Sequence, residues 1–140
     1  MVELNIVGHG IDIVDIAEMQ RWINDPRDPL IPRCFVQEEL DEVGSGPDRI
    51  EHLAGRFAAK EAILKALGTG FGAGIAFSDV IIHRVAGGPP IVRLTGGAAK
   101  AAAERDIAVW RLSISHTTAL AMASAIAIGS TPHGEGSERD

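Results

Sequence analysis

Four charged side chains stand where the surrounding pattern calls for apolar ones. Over residues 50–67 the hydrophobic period is helical, and Leu53, Phe57, Ile63, Leu64 and Leu67 form one stripe at about 100° per residue. Lys60 falls inside that stripe, and Arg56 and Glu61 border it on opposite sides. Either Lys60 lays its stem along apolar surface with Arg56 and Glu61 on the rim, or Lys60 and Arg56 meet an anion and Glu61 a cation. Asp12 is the fourth: it interrupts an apolar segment near the N-terminus, where a carboxylate is costly to bury without a cation or several hydrogen bonds. It can also serve as an ordinary loop or cap carboxylate. Two carboxylates plus phosphate oxygens and waters are what Mg²⁺ prefers, because that ion dehydrates reluctantly.

Other candidates carry less. The loop Gly68-Thr69-Gly70-Phe71-Gly72-Ala73-Gly74 offers backbone N–H groups to a phosphate, but it follows a helix and fits neither standard nucleotide motif. His116 ends a strand face bearing Trp110, Leu112 and Ile114, a position equally suited to a structural histidine. Ser113 and Ser115 lie on the opposite strand face and on no nucleophile elbow, so no triad assembles. His9, His52, His83 and His116 lack zinc-ligand spacing.

The elements that must position these groups follow from period and punctuation. Residues 4–14 alternate as a strand, with Leu4, Ile6, Gly8, Gly10 and Asp12 on one face and Val7, His9, Ile11 and Ile13 on the other. Asp15 caps a helix over 16–23, with Glu18 three residues on. Asn24, Pro26, Asp28, Pro29 and Pro32 predict a loop, followed by helices over about 36–43 and about 50–67, the latter stopped by Gly68. Segments 78–85 and 91–94 flank Gly87-Gly88-Pro89-Pro90 as a hairpin. A short Ala-rich helix over 98–108, a strand over 110–116 and a last strand ending near Ile128 complete the order. That order predicts an α+β class, with a mostly antiparallel sheet, a long central helix and a single domain over 1–128. Residues 129–140 read as a flexible tail.

Composition bounds the function. The chain has 140 residues, 46% of them hydrophobic, enough to build one core without staples. A net charge of −6 argues against sequence-independent nucleic-acid binding. The longest apolar run, 117–129, falls short of the roughly 20 residues a membrane span requires. The lone cysteine, Cys34, forms no intrachain disulfide, and no export signal opens the sequence, so a cytoplasmic location is expected. Only 4% of residues are aromatic, and small cores of this kind often gain from oligomerisation.

Three segments together resemble the acyl-carrier-protein synthase group of 4′-phosphopantetheinyl transferases. They are Gly10-Ile11-Asp12-Ile13-Val14-Asp15, the run from Leu53 through Arg56, Lys60 and Glu61 to Lys65 and Gly70, and Ser113-Ile114-Ser115-His116. The resemblance implies that a phosphopantetheine arm passes from coenzyme A to a serine of an apo acyl carrier protein, releasing adenosine 3′,5′-bisphosphate. It also implies a homotrimer with sites between subunits, a 4′-phosphopantetheinyl transferase fold, and a role in fatty acid and lipid biosynthesis. Carried onto this chain, it makes Asp12 and Glu61 the magnesium ligands and, with Lys60, the catalytic set. Arg56, Lys60, Lys65, Gly68, Gly70, His116 and Thr117 become the coenzyme contacts. Glu18 stands where the family commonly has a basic residue for docking the acidic carrier, which leaves Arg21, with Arg27 and Arg33, as the docking candidates. Thr117 stands where Asp often follows the motif histidine. The residues alone also fit a noncatalytic coenzyme A or nucleotide scaffold, or a trimeric pyrophosphate hydrolase.

Overall fold

The computed structural model describes residues 2–69 and 74–132, and its organising element is the helix whose charges drew attention. In chain order the elements are β1 (Val2–Asp15), α1 (Ile16–Ile23), α2 (Leu30–Cys34), α3 (Gln37–Val43) and α4 (Arg49–Leu67). A 3₁₀ turn (Phe77–Asp79), β2 (Val80–His83), β3 (Ile91–Leu94), α5 (Gly96–Glu104), β4 (Ile107–His116) and β5 (Leu120–Pro132) follow. β1, β5 and β4 form an antiparallel sheet in that order, and β2 pairs antiparallel with β3. The α+β class, the antiparallel pairing and the central helix are as the sequence predicts.

Helix α4 lies across the sheet and is flanked on its other sides by α1, α3, β2 and α5. It is buried nearly all round, which an interior helix must be: the stripe from Leu53 to Leu67 packs away from the sheet, and Ala54, Ala58, Ala62 and Ala66 are buried as well. The small residues have a geometric purpose. A Cβ placed on Gly10 would stand 1.9 Å from the Ala62 carbonyl oxygen, and one on Gly8 would stand 2.0 Å from that of Ala66. Strand and helix therefore touch backbone to backbone, which only glycine permits. The β5 residues on this face, Ala121, Ala123, Ala125 and Ala127, are buried too.

The ends of the elements follow local chemistry. The Asp15 carboxylate accepts the Glu18 N–H at 3.1 Å and caps α1. Gly68 closes α4 in the left-handed region at φ 73°. Arg105 adds a longer-range cap: it donates to the carbonyls of Ala66 and Leu67 at the α4 C-terminus, and to Val7 O on β1 at 2.7 Å.

Three expectations are corrected. A bulge between Ile6 and Gly8 breaks the alternation of β1, so Leu4 and Ile6 stand exposed on the outer sheet face and not with Gly8, Gly10 and Asp12. The loop predicted over 24–32 gives way at its end to α2, because Pro32 falls in that helix's first turn, where a missing N–H costs nothing. The flexible tail predicted from Gly129 is a strand over its first residues, because β5 continues to Pro132 against Val2 on β1. The rest of the predicted tail lies outside the described residues. No described helix is long and apolar enough to cross a membrane.

Candidate active site

Gly8 against Ala66 and Gly10 against Ala62 set the register of β1 on α4. Two strand residues advance about 6.7 Å and one helical turn 5.4 Å, so the next residue on that strand face, Asp12, falls beside the turn carrying Glu61. Asp12 and Glu61 line one pocket with Trp22 and Phe57. Lys65, one turn beyond Glu61, donates to Asp12 Oδ1 at 3.1 Å and to the Ile11 carbonyl at 2.9 Å. The Glu61 carboxyl is pushed above its usual range, first by burial and then by the Asp12 charge, with Lys65 opposing.

From Glu61 a groove continues over Trp22, Phe57, Phe77 and Leu30 to Arg33. Its aromatic wall is packed, with the Phe57 and Phe77 rings stacked at 5.3 Å and Trp22 tilted at 6.1 Å from Phe57. The groove is lined mainly by apolar side chains, with Glu61, Asp28 and Arg33 as its charged members, a composition suited to a largely apolar chain that carries polar groups.

The opposite flank of α4 holds a second cleft, of about 420 Å³, lined by His52, Arg56, Arg84, Ser115 and His116 among others. Arg56 is 4% exposed, and its guanidinium donates to Glu42 Oε1 at 2.9 Å. The cleft shares no lining residue with the Asp12–Glu61 pocket. β5 lies between β1 and β4, so those two strands stand about 10 Å apart across the sheet.

Lys60 is elsewhere. It is fully buried, and its ammonium donates to Glu39 Oε1 at 2.9 Å and to the carbonyls of Phe77 and Val80. Three acceptors satisfy its three donors, and it faces neither pocket. Lys60, expected as a phosphate contact and catalytic group, here joins α4 to α3 and to the start of β2. Burial pushes the Lys60 ammonium down, with Glu39 opposing. Glu39 is equally committed, accepting the Val36 and Ile82 N–H groups at 3.1 and 2.9 Å.

Thr117 closes the turn between β4 and β5, its hydroxyl accepting the Ala119 and Leu120 N–H groups at 3.2 and 3.1 Å. Gly68 is the α4 terminator, and Gly70 lies outside the described residues. Of the docking candidates, Arg27 pairs with Asp25 at 3.2 Å and Arg33 with Asp28 at 2.8 Å. Arg21 is exposed on α1 and, among the described residues, has no ion-pair partner.

Glu39, Glu42 and Arg105 were absent from the residues picked out by sequence pattern. Glu39 meets Lys60 across 21 residues, Glu42 meets Arg56 across 14 and Arg105 meets Val7 across 98, pairings that only the fold brings together.

The fold and the paired carboxylates define a class. Residues 8–122 match the family model described as the 4′-phosphopantetheinyl transferase superfamily, and the chain belongs to that superfamily. Its relatives include the holo-[acyl-carrier-protein] synthases of Hydrogenovibrio crunogenus, 40% identical over 87% of this chain and 96% of that one, and of Desulforudis audaxviator, 43% identical over 89% and 94%. Among solved structures, the holo-ACP synthase of Plasmodium yoelii superposes with a TM-score of 0.79 at 30% identity, covering 92% of this chain and 99% of that one. The Helicobacter pylori synthase, solved in complex with coenzyme A, superposes at 0.73 with 28% identity over 85% and 98%. Within the superfamily the chain groups with these synthases and is an enzyme of their kind.

Proposed function

We propose that this enzyme transfers 4′-phosphopantetheine from coenzyme A to a serine hydroxyl of an apo acyl carrier protein of the fatty-acid or polyketide type, releasing adenosine 3′,5′-bisphosphate. The observation that carries the reading is the pair Asp12 and Glu61, facing one pocket from β1 and α4, with the Glu61 carboxyl raised by burial and by its neighbour's charge.

That pair fits Mg²⁺. Among the described residues no group of three or more His, Cys, Asp or Glu gathers to make an all-protein cage. Two carboxylates opening on a groove match an ion that completes its shell with substrate phosphate and water. Bound there, the ion would neutralise charge growing on the leaving phosphate. Lys65, held at Asp12, contributes a second positive charge to the same phosphate. Glu61, with its raised carboxyl, is the group placed to take the serine's proton. The attacking hydroxyl belongs to the carrier, consistent with the sequence pattern, in which Ser113 and Ser115 assemble no triad. The apolar groove suits the pantetheine arm, and Arg56 and His116 suit the coenzyme's anionic end.

The two half-sites face apart on one chain, and a homotrimer is the arrangement we propose to bring them together. The outer face of the sheet supports it, because Leu4, Ile6, Ile11, Ile13 and Met122 are exposed there, Ile6 to 70%. Arg21 on α1 docks the acidic carrier. A buried free thiol at Cys34 suits the reducing cytoplasm.

The test mixes the protein with coenzyme A, Mg²⁺ and a panel of apo carriers and follows carrier mass. A gain equal to the phosphopantetheine arm is expected. Coenzyme A binding with no mass gain on any carrier would overturn the transferase reading in favour of a noncatalytic coenzyme-binding protein.

A further inference from the structure

A chain of polar contacts runs back from Arg56 in the cleft beside β4, and the residues beyond Arg56 have been given no part in transfer. Arg56 is almost fully buried, yet its Nε has no hydrogen-bond partner among the described residues. Its Nη2 is held by Glu42 Oε1, and the same oxygen accepts the Arg84 backbone N–H at 3.0 Å. Glu42 Oε2 lies 2.6 Å from His83 Nδ1. Behind it, His83 Nε2 faces Glu38 at 3.4 Å, and Glu38 takes Arg93 at 2.5 Å. Glu42 therefore reaches from α3 to the end of β2 and is fastened by three donors. Burial raises its carboxyl, but His83, the Arg84 N–H and Arg56 outweigh that and hold it below the usual range.

A carboxylate so placed has two opposed effects on an anion that Arg56 would bind. Its charge cancels part of the guanidinium's attraction. Its hydrogen bond fixes a planar fork that otherwise loses rotamer freedom on binding. Because Arg56 is desolvated and its Nε edge is left free, fixing the plane decides whether that edge meets a phosphate or turns away.

We propose that Glu42 is a positioning residue for the coenzyme: clamped by His83, it holds the Arg56 guanidinium so that the unpartnered Nε edge meets a coenzyme phosphate. The proposal rests on the reading of this cleft as a coenzyme site. The two effects have opposite signs, which makes the assignment testable.

Coenzyme A binding to the full chain would be measured by calorimetry for the wild type, Arg56→Ala, Glu42→Ala and Glu42→Gln, alongside thermal midpoints and transfer kinetics. Glu42→Ala is expected to weaken binding about tenfold, the scale of one charge-assisted hydrogen bond, with the loss in the KM for coenzyme A and not in kcat. Glu42→Gln keeps an acceptor oxygen for Arg56 and is expected to bind at least as well as the wild type. Unchanged or tighter binding in Glu42→Ala, with Arg56→Ala weakened, overturns the positioning role and leaves the cleft reading standing. Glu42→Gln as weak as Glu42→Ala overturns it as well, and wild-type affinity in Arg56→Ala overturns both it and the cleft reading.

Discussion

The ammonium of Lys60 lies 2.9 Å from the carboxylate of Glu39, and neither side chain has any exposed surface. A pair of this kind stabilises little against an apolar replacement, but breaking it leaves a buried charge without a partner. Glu39→Leu is expected to cost about 3–5 kcal/mol by chemical denaturation, whereas Glu39→Leu with Lys60→Met is expected to recover most of that loss. Additive losses in the double variant would show that the two do not act as a pair. Coenzyme A affinity in the double variant is expected to stay near the wild-type value, because Lys60 faces neither pocket.

Glu61 predicts a pH dependence with a definite sign. Burial and Asp12 raise its carboxyl above the ordinary 4.5, so the stability linked to it is fully present below that value and is lost as pH rises through the raised one. Glu61→Gln stays neutral throughout. In chelator, its thermal midpoint is expected to exceed that of the wild type near neutral pH, with the gap closing as the solution is acidified below about 4.5. A gap that does not change with pH would sink the assignment of burial and Asp12 as its cause. Mg²⁺ at about a hundred times its dissociation constant is then expected to stabilise the wild type by about 2.7 kcal/mol and to leave Glu61→Gln unmoved. Equal stabilisation of both proteins would remove Glu61 from the metal site.

Among the described residues Arg21 is the docking candidate with no ion-pair partner, and its reversal is the sharper test of the proposed docking. Arg21→Glu is expected to raise the KM for the carrier about tenfold, more at low ionic strength, while calorimetry finds coenzyme A affinity unchanged. An unmoved carrier KM would place docking on another surface.

Ile13 and Met122 are cross-strand partners, 60% and 39% exposed on the outer sheet face. Ile13→Glu puts a charge at the middle of that face and, if the proposed trimer forms through it, is expected to leave a single chain of 14.8 kDa by light scattering, with loss of transfer. Wild-type protein that already runs as an active single chain would rule out the shared site.

How much of this was legible in sequence differs from residue to residue. Asp12 on the face of Gly8 and Gly10 followed from strand alternation alone, and Gly68 as terminator followed from its place after the last apolar residue. Arg56 and Glu61, on opposite borders of one stripe, do face opposite flanks of α4. Lys60 fell inside the stripe by periodicity and is buried with it, but its partner could not be read from the pattern. The alanines at 54, 58, 62 and 66 bury the other face, and the partner carboxylate at Glu39 sits 21 residues away, outside any local pattern. Glu42 had no signal at all, since its three donors come from α4 and from the end of β2.

The seam between β1 and α4 has one more consequence, for how such a chain can change over time. Asp12 and Glu61 ride on two stretches of main chain that meet with no side chain between them. Where core residues separate two elements, each exchange of Leu for Ile or Val nudges the elements apart or together, and distances drift as a lineage accumulates substitutions. Here no intervening rotamer can be exchanged, so the spacing of the two carboxylates is insulated from turnover elsewhere in the interior. The rest of the core is free to vary around a fixed distance.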